Sequence, residues 1–408
     1  MAQLLWGKVY YQDVFAGYLR QEPGERFVFA YDESYVNSSH PPIAYSMPLR
    51  SQAYISEYGL HPFFDNLVSE GWLEEAQARL IGKRIWSRFE LLLAFGQDLA
   101  GAVSIIDPEP LKLRETSREA YDPKTFAVMQ GRASLSGIQP KLTLVKEHNT
   151  FRPSHRGELS TYIGKFPSPH LPDIIENEYL TTLACKKLLP EDEFVDLHVD
   201  SVEGIAEKAL LIKRFDRTPR NTRIHFEEFN QLLEHQSRNK YEGAYKDMAH
   251  FLKTASQKGD TIPLDAIRLF NRIIMGIAVG NRDMHFKNFA LIYTDQGLRL
   301  SPNYDLVSAA VYHPSYQTMA LCIGGAQDLY INALKPKNIL ALAKEFDVPK
   351  QAIRFTVEQL RRNISVAQEA VSSSPVGSPH LKDQIIKQMD KRWNGTFSLI
   401  GNALLEKL

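Results

Sequence analysis

The sequence predicts an α+β fold in two lobes: a mixed α/β N-terminal lobe carrying an extra N-terminal subdomain, and an all-helical C-terminal lobe. Three observations predict it. Alternation of apolar and polar residues, the period of a strand, recurs in the first hundred residues and again before Phe215, with helical stretches between. After Phe226 the apolar residues return mostly at three- and four-residue steps, the period of a helix. A chain of 408 residues, 44% of them hydrophobic, can also bury the cores of two or three structural units.

Taken in order, residues 4–11 and 14–19 alternate around a polar break and pair as strands, with 26–31 as a third. From His61 the pattern turns helical: Phe64, Leu67, Val68, Trp72, Ala76 and Leu80 mark one helix, whose aromatic-rich face reads as core. A short helix at 88–95 and a strand at 102–106 close this part, and 107–121, rich in Pro and charge, reads as a connection. Strands are expected at 142–145 and 162–165, then a helix at 173–189 and a strand at 209–215. Further helices are expected at 229–234, 245–255, 264–279, 336–346, 350–372 and 381–408, with the Ser/Pro-rich run 372–379 as a loop. The boundaries that follow are 1–110, 111–225 and 226–408, and no internal repeat is visible.

Composition narrows the function. Forty-eight basic residues balance 48 acidic ones, which is poor equipment for gripping a phosphate backbone, so contact with DNA is expected only through a partner. Cys185 and Cys322 are the only cysteines, without metal-ligand spacing and too few for a disulfide framework. The N-terminus lacks the apolar stretch of a signal peptide, and apolar runs such as 273–279 fall far short of the ~20 residues of a membrane helix. A cytoplasmic protein without membrane contact is expected.

The chemistry is concentrated in Gly280-Asn281-Arg282-Asp283-Met284-His285-Phe286-Lys287-Asn288-Phe289 and the later Pro302-Asn303-Tyr304-Asp305-Leu306. Asn288 stands five positions after Asp283. Protein kinases use that offset in the catalytic loop, where the Asp receives the substrate hydroxyl's proton and the Asn holds a magnesium ion. Two short apolar runs, 289–293 and 298–300, flank Asp295-Gln296-Gly297 and read as a hairpin that brings Asp305 back to Asn288. Two carboxylates and an amide suit Mg²⁺, which prefers oxygen ligands. A buried Asp and Asn that merely brace a loop would explain either residue alone; the ordered set favours a protein-kinase-like phosphotransferase site.

Such a site needs a lysine for the ATP phosphates and an acid to hold it. Lys165 ends the strand at 162–165, and Glu178 lies thirteen positions on, in the helix at 173–189. As an isolated pair they read as solvated residues; beside Asp283 and Asp305 they read as the strand-Lys/helix-Glu ion pair that positions ATP in kinases. The cradle candidate, Ala133-Ser134-Leu135-Ser136-Gly137-Ile138-Gln139-Pro140-Lys141, has one Gly and fits neither common glycine-rich phosphate motif.

With this loop, Lys213-Arg214-Phe215-Asp216-Arg217, the Asp283 loop and Tyr304-Asp305-Leu306-Val307-Ser308-Ala309, the chain resembles the HipA family of bacterial serine/threonine kinases, the toxins of toxin–antitoxin pairs. His61-Pro62-Phe63-Phe64-Asp65-Asn66-Leu67 and Asp98-Leu99-Ala100-Gly101-Ala102-Val103 resemble that family's N-terminal subdomain, so the likeness spans nearly the whole chain. The resemblance implies ATP and Mg²⁺ as cofactors, Asp283 as catalytic residue, Asn288 and Asp305 as metal ligands, and Lys165 with Glu178 at the phosphates. It places Lys213, Arg214 and Phe215 at the adenine, and Ser136, Gly137 and Lys287 at the nucleotide. Ser134 matches a serine whose autophosphorylation shuts the enzyme off. Ser136 makes a Ser-x-Ser pattern like that of the HipT branch, and is either a second phosphorylation site or a phosphate contact. The implied partners are a helix-turn-helix antitoxin (HipB-like), which carries the pair to DNA, and an aminoacyl-tRNA synthetase, glutamyl or tryptophanyl, as substrate.

Other residues are read blandly. His285 is a hydrogen-bonding loop residue, and Lys287 either neutralises the transferring phosphoryl or faces solvent. Glu227 and Glu228 are placed on a solvated helix start, and Arg217, Arg220, Arg223 and Arg238 on a solvated surface in preference to a partner patch. Two other function classes remain open: a pseudokinase or regulatory binding module, and a small-molecule phosphotransferase sharing the catalytic-loop offset.

Overall fold

A computed structural model describes residues 4–82, 86–109, 122–131, 133–135, 139–312 and 318–408. The chain folds as two compact units, Met1–Pro167 with Asp200–Ser237, and Ser168–Val199 with Arg238–Leu408. Residues 168–199, which the sequence reading put in the segment 111–225, therefore cluster with the second unit.

In the first unit an antiparallel sheet runs in the order Tyr54–Ser56, Phe27–Tyr31, Val14–Gln21, Trp6–Tyr11 and Val103–Ile106. The polar break after Trp6–Tyr11 is a two-residue turn, Gln12-Asp13, in which both residues take positive φ, the geometry that matches the twist of a hairpin. Apolar faces of this sheet pack on Phe63, Phe64, Leu92 and Phe95, with the Phe29 and Phe64 rings edge to face at 5.4 Å.

The single helix expected from His61 is two, Pro62–Asp65 and Gly71–Ile81. Distant partners cause the break. Asn66 Nδ2 donates to the carbonyls of Pro62 and His235, both at 2.8 Å, and the Asp65 carboxylate accepts from the Ser237 N–H at 2.7 Å and pairs with Arg88. The helix Arg88–Phe95 lies where expected, opened by a reciprocal Ser87/Glu90 capping box. A helix absent from the sequence reading, Pro123–Gly131, is capped by Asp122, whose carboxylate accepts from the Lys124 and Thr125 N–H groups.

A second sheet of this unit runs Thr150–Pro153, Lys141–Glu147, Tyr162–Lys165, Ile205–Lys213 and Leu197–Val202. Beside it is a buried ion cluster that corrects two readings. Arg217 and Arg223 are not on a solvated surface: Arg217 reaches Asp98 at 2.7 Å and Asp216 at 2.8 Å, and Arg223 donates to the Gln97 carbonyl at 2.6 Å. Arg214 joins them through Asp216 at 2.6 Å and the Ser160 hydroxyl at 2.8 Å. The loop at 97–101 supplies carboxylate and carbonyl groups enough to hold these guanidiniums out of water, which a local reading could not foresee. The arginines in turn hold the Asp98 and Asp216 carboxyls below their usual range against the opposing effect of burial. Glu227 and Glu228 are buried as well; Glu227 accepts the Tyr45 N–H at 2.7 Å.

In the second unit, helix Ile174–Leu188 packs along Lys350–Ser373 and also meets Pro263–Ala278 and Pro379–Trp393. Tyr245–Lys258 and Pro336–Glu345 complete the bundle. The last helix stops at Trp393 rather than continuing from 381 to 408: Asn394-Gly395 end it, and a short turn, Asn402–Leu405, follows. The expected hairpin is present as Ala290–Thr294 and Gly297–Leu300, closed by Asp295-Gln296, so this helical unit carries strands too. No helix among the described residues is long and apolar enough to cross a membrane.

Candidate active site

Helix Pro263–Ala278 delivers the loop that carries Asp283. It ends at Gly280, whose φ of +80° lies in the left-handed region open to glycine, and the Asn281 N–H turns back to the Gly276 carbonyl at 2.8 Å. Gly276 leaves room for the loop: a Cβ there would come within 2.2 Å of the Met284 sulfur. Asp283 is then fixed through its backbone. Its N–H donates to Asn281 Oδ1 at 3.1 Å, and its carbonyl accepts from the His285 N–H at 2.9 Å and from Asn288 Nδ2 at 2.8 Å. The last bond commits the amide nitrogen of Asn288 to the loop and leaves its oxygen as the atom for another partner.

The hairpin returns the chain to Asp305, which adopts φ of +56°, strained for a residue with a side chain. The flanking residues hold that conformation. Asn303 Nδ2 donates to Asp192 at 3.1 Å, and Arg272 grips the same carboxylate at 2.6 Å while donating to the Ser301 carbonyl at 2.7 Å. The Tyr304 hydroxyl donates to the Lys287 carbonyl at 2.8 Å. Beyond Asp305, the buried carboxamide of Asn177 donates to the Ser308 carbonyl at 3.2 Å and accepts its N–H at 2.9 Å.

Asn281, Asn288 and Asp305 line one small cavity together with Arg272, Asn303 and Tyr304. Burial, and then the nearby Asp305 carboxylate, push the Asp283 carboxyl up to about 6, while a hydrogen bond from Tyr241 pulls the other way. The charge of Asp305 beside Asp283 is what a bound cation would offset. Oxygen donors from Asp305 and Asn288 fit a hard divalent cation such as Mg²⁺; among the described residues no group of three or more His, Cys, Asp or Glu is placed to hold a metal ion.

The remaining expected residues are placed as follows. Lys165 is buried at the end of its strand, directly opposite Lys141 of the neighbouring strand, so two lysines share one face. Glu178 is buried in helix Ile174–Leu188, and Lys287 is buried in the catalytic loop. Lys213 is exposed, and the Phe215 ring lies 4.9 Å from that of Phe226. Arg214 is not free for a nucleotide, because its N–H donates to the Thr161 carbonyl at 3.0 Å and its side chain belongs to the ion cluster. Ser136 and Gly137 lie outside the described residues.

Ser134 is only 2% exposed. Its hydroxyl donates to the Leu67 carbonyl at 2.9 Å, so in its 2.7 Å contact with the Ser69 hydroxyl it accepts. Gln77 holds the adjoining Ala133 carbonyl at 2.9 Å. Lys141 and Asn281 stand inside the motifs singled out in the sequence but were given no role there, and Asn177 and Tyr241 were not singled out at all. Asn281, two positions before Asp283, was within reach of a local argument; the others act across long separations.

Comparison with known proteins bears on family and fold. Residues 133–368 match the family model for the HipA-like C-terminal domain, and residues 7–106 that for the HipA N-terminal domain. A protein of Sinorhizobium fredii named "Putative kinase Y4dM" is 29% identical over 82% of this chain and 85% of its own length; a second, "Putative kinase Y4mE", is 30% identical over 72% and 75%. The serine/threonine-protein kinase toxin HipA of Shewanella oneidensis is 24% identical over 90% of this chain and 91% of its own. The solved complex of that organism's HipA with HipB and operator DNA superposes with a TM-score of 0.73 at 22% identity, over 94% of this chain and 97% of the other, which shows the fold.

Proposed function

Because the chain belongs to the HipA family, both of whose domain models it matches in order, we propose that it is an ATP-dependent serine/threonine protein kinase and the toxin of a toxin–antitoxin pair. The observation that carries the reading is the catalytic loop: Asp283 is raised in proton affinity and fixed by its backbone, with Asn288 and Asp305 on a common cavity. A carboxylate held in place on this loop is suited to take the acceptor hydroxyl's proton. As the acceptor oxygen bonds to the γ-phosphorus, the bond to the bridging oxygen breaks and ADP leaves. Asn288 and Asp305 are the proposed Mg²⁺ ligands, and the bound ion would neutralise phosphate charge. Lys165 is proposed at the phosphates, with Glu178, Lys213, Phe215, Ser136, Gly137 and Lys287 as further nucleotide-site residues.

The biological reading follows from the relatives. The Shewanella protein was solved with HipB and operator DNA, which supports a HipB-like helix-turn-helix antitoxin as partner here, with DNA reached through it. An aminoacyl-tRNA synthetase, glutamyl or tryptophanyl, is the proposed substrate, in the cytoplasm. Self-limitation through autophosphorylation of the Ser134/Ser136 loop, in the HipT-like pattern, belongs to the same proposal. Phosphoserine adds about −1.5 to −2 charges at pH 7, which would repel triphosphate from that loop. Expression of the wild-type chain and of Asp305→Ala in a bacterium tests the reading. Arrest by the wild type alone is expected, with phosphoproteomics naming the substrate; equal, unimpaired growth contradicts the toxin.

A further inference from the structure

Tyr241 stands between the turn Ser237–Asn239 and helix Tyr245–Lys258, 42 positions before the residue it touches. Its hydroxyl donates to Oδ1 of Asp283 at 3.1 Å. Its ring is set edge-on to the His285 imidazole, with centroids 5.0 Å apart at 85°, and the Lys240 ammonium lies 5.6 Å from the ring centre. The side chain nonetheless remains 44% exposed. A tyrosine with its polar tip on the catalytic carboxylate and much of its ring in solvent is not a core residue.

The loop does not need this phenol to keep its shape. The backbone of Asp283 is already held on both sides by Asn281, His285 and Asn288. What Tyr241 adds is control of the carboxylate itself. With one oxygen engaged by a fixed donor, rotation of the group is restricted and Oδ2 is the oxygen left to meet a substrate proton. We propose that Tyr241 is a positioning residue for phosphoryl transfer, which holds Asp283 through Oδ1 so that Oδ2 takes the acceptor's proton. The inference rests on Asp283 being the base. In the step, the acceptor oxygen bonds to the γ-phosphorus, its proton moves to Oδ2, the electrons of the broken bond leave on ADP, and Tyr241 keeps its own proton. A rival role for the same contact is a placeholder, in which the phenol occupies the acceptor's position and must be displaced before reaction.

The test compares wild type, Tyr241→Phe and Asp283→Asn, all full length. It follows label transferred from γ-labelled ATP with Mg²⁺, to the chain itself and to a bacterial lysate, alongside nucleotide affinity and thermal midpoint. Tyr241→Phe should slow transfer at saturating ATP by roughly 10- to 100-fold, the scale of a misplaced reacting group, with affinity and midpoint unchanged. A purely structural role would move the midpoint or the affinity rather than the rate. An undiminished rate overturns the proposal, and a faster one replaces it with the placeholder. Failure of the underlying reading is seen separately, as no transfer by wild type or undiminished transfer by Asp283→Asn, and removes both.

Discussion

Asn177 holds Ser308 by both of its backbone groups: the carboxamide donates to the Ser308 carbonyl at 3.2 Å and accepts its N–H at 2.9 Å. Thr181, one turn along the same helix, donates to the Asn177 oxygen at 3.0 Å. The helix that carries Glu178 is thereby fastened three residues beyond Asp305, at the segment that holds Asp305 in its left-handed conformation.

Replacing Asn177 by Ala should therefore loosen Asp305. The Ser308 N–H keeps Thr181 Oγ1 at 3.1 Å and its carbonyl keeps the Val311 N–H at 3.2 Å, so the loss is that of two hydrogen bonds, about 1 kcal/mol each in stability. Beyond that loss, the concentration of Mg²⁺ needed for half-maximal transfer should rise at a temperature where the variant is fully folded. An unchanged Mg²⁺ requirement would confine Asn177 to stability.

Ser69 is expected to restrain Ser134. It donates to the Ser134 hydroxyl, which itself points at the Leu67 carbonyl, so phosphorylation requires this contact to open first. Removing one buried hydrogen bond is worth about 1 kcal/mol, or roughly a fivefold shift in the opened fraction. Ser69→Ala should accordingly speed phosphate incorporation at Ser134, measured by peptide mapping over time; a slower or equal rate contradicts the latch.

The ion cluster should be unforgiving. Asp98→Ala would leave Arg217 and Arg223 buried beside one fewer carboxylate, a change that costs on the order of 3–5 kcal/mol. Chemical denaturation should show a loss of that size, whereas substitution of the exposed Arg220 should shift the midpoint little.

Stability should also fall with acid from a higher pH than carboxylates alone would give. His225 is buried, its Nδ1 accepts the Ala102 N–H at 3.3 Å, and burial lowers its pKa from 6.5 to about 3. A group depressed on folding contributes stability that is full above its unfolded pKa and is lost as pH falls towards the folded one. The midpoint should decline progressively below about pH 6.5, with Asp98 and Asp216 adding to the loss only below the ordinary carboxylate range near 4. His225→Gln should lessen the decline between these limits and leave the part due to His61, whose pKa burial lowers to about 4.

The sequence carried the parts of the fold whose cause is local. The first hairpin was legible because Trp6–Tyr11 and Val14–Gln21 alternate around a polar pair, and Arg88–Phe95 because apolar residues follow a capping box. The Asp122-Pro123 cap of a further helix was equally local and was overlooked. The break after Asp65 was not legible, since its partner Ser237 lies 172 positions away. The buried state of Arg217 and Glu227 likewise depends on Asp98 and Tyr45, 119 and 182 positions distant. Of the site, Asp283, Asn288 and Asp305 could be read from spacing because one loop and one hairpin assemble them. Tyr241 and Asn177 could not, because each enters from a separate element.

Asp283 is proposed to take the acceptor's proton in transfer from ATP. The most direct test of this role is intact-mass measurement of phosphate added to the protein by Mg²⁺-ATP, for wild type and Asp283→Gln, with nucleotide affinity measured in parallel. Added phosphate is expected on wild type and none on the variant, with equal nucleotide affinity, since positioning survives while the proton acceptor is gone. Phosphate added to Asp283→Gln at the wild-type rate would contradict it.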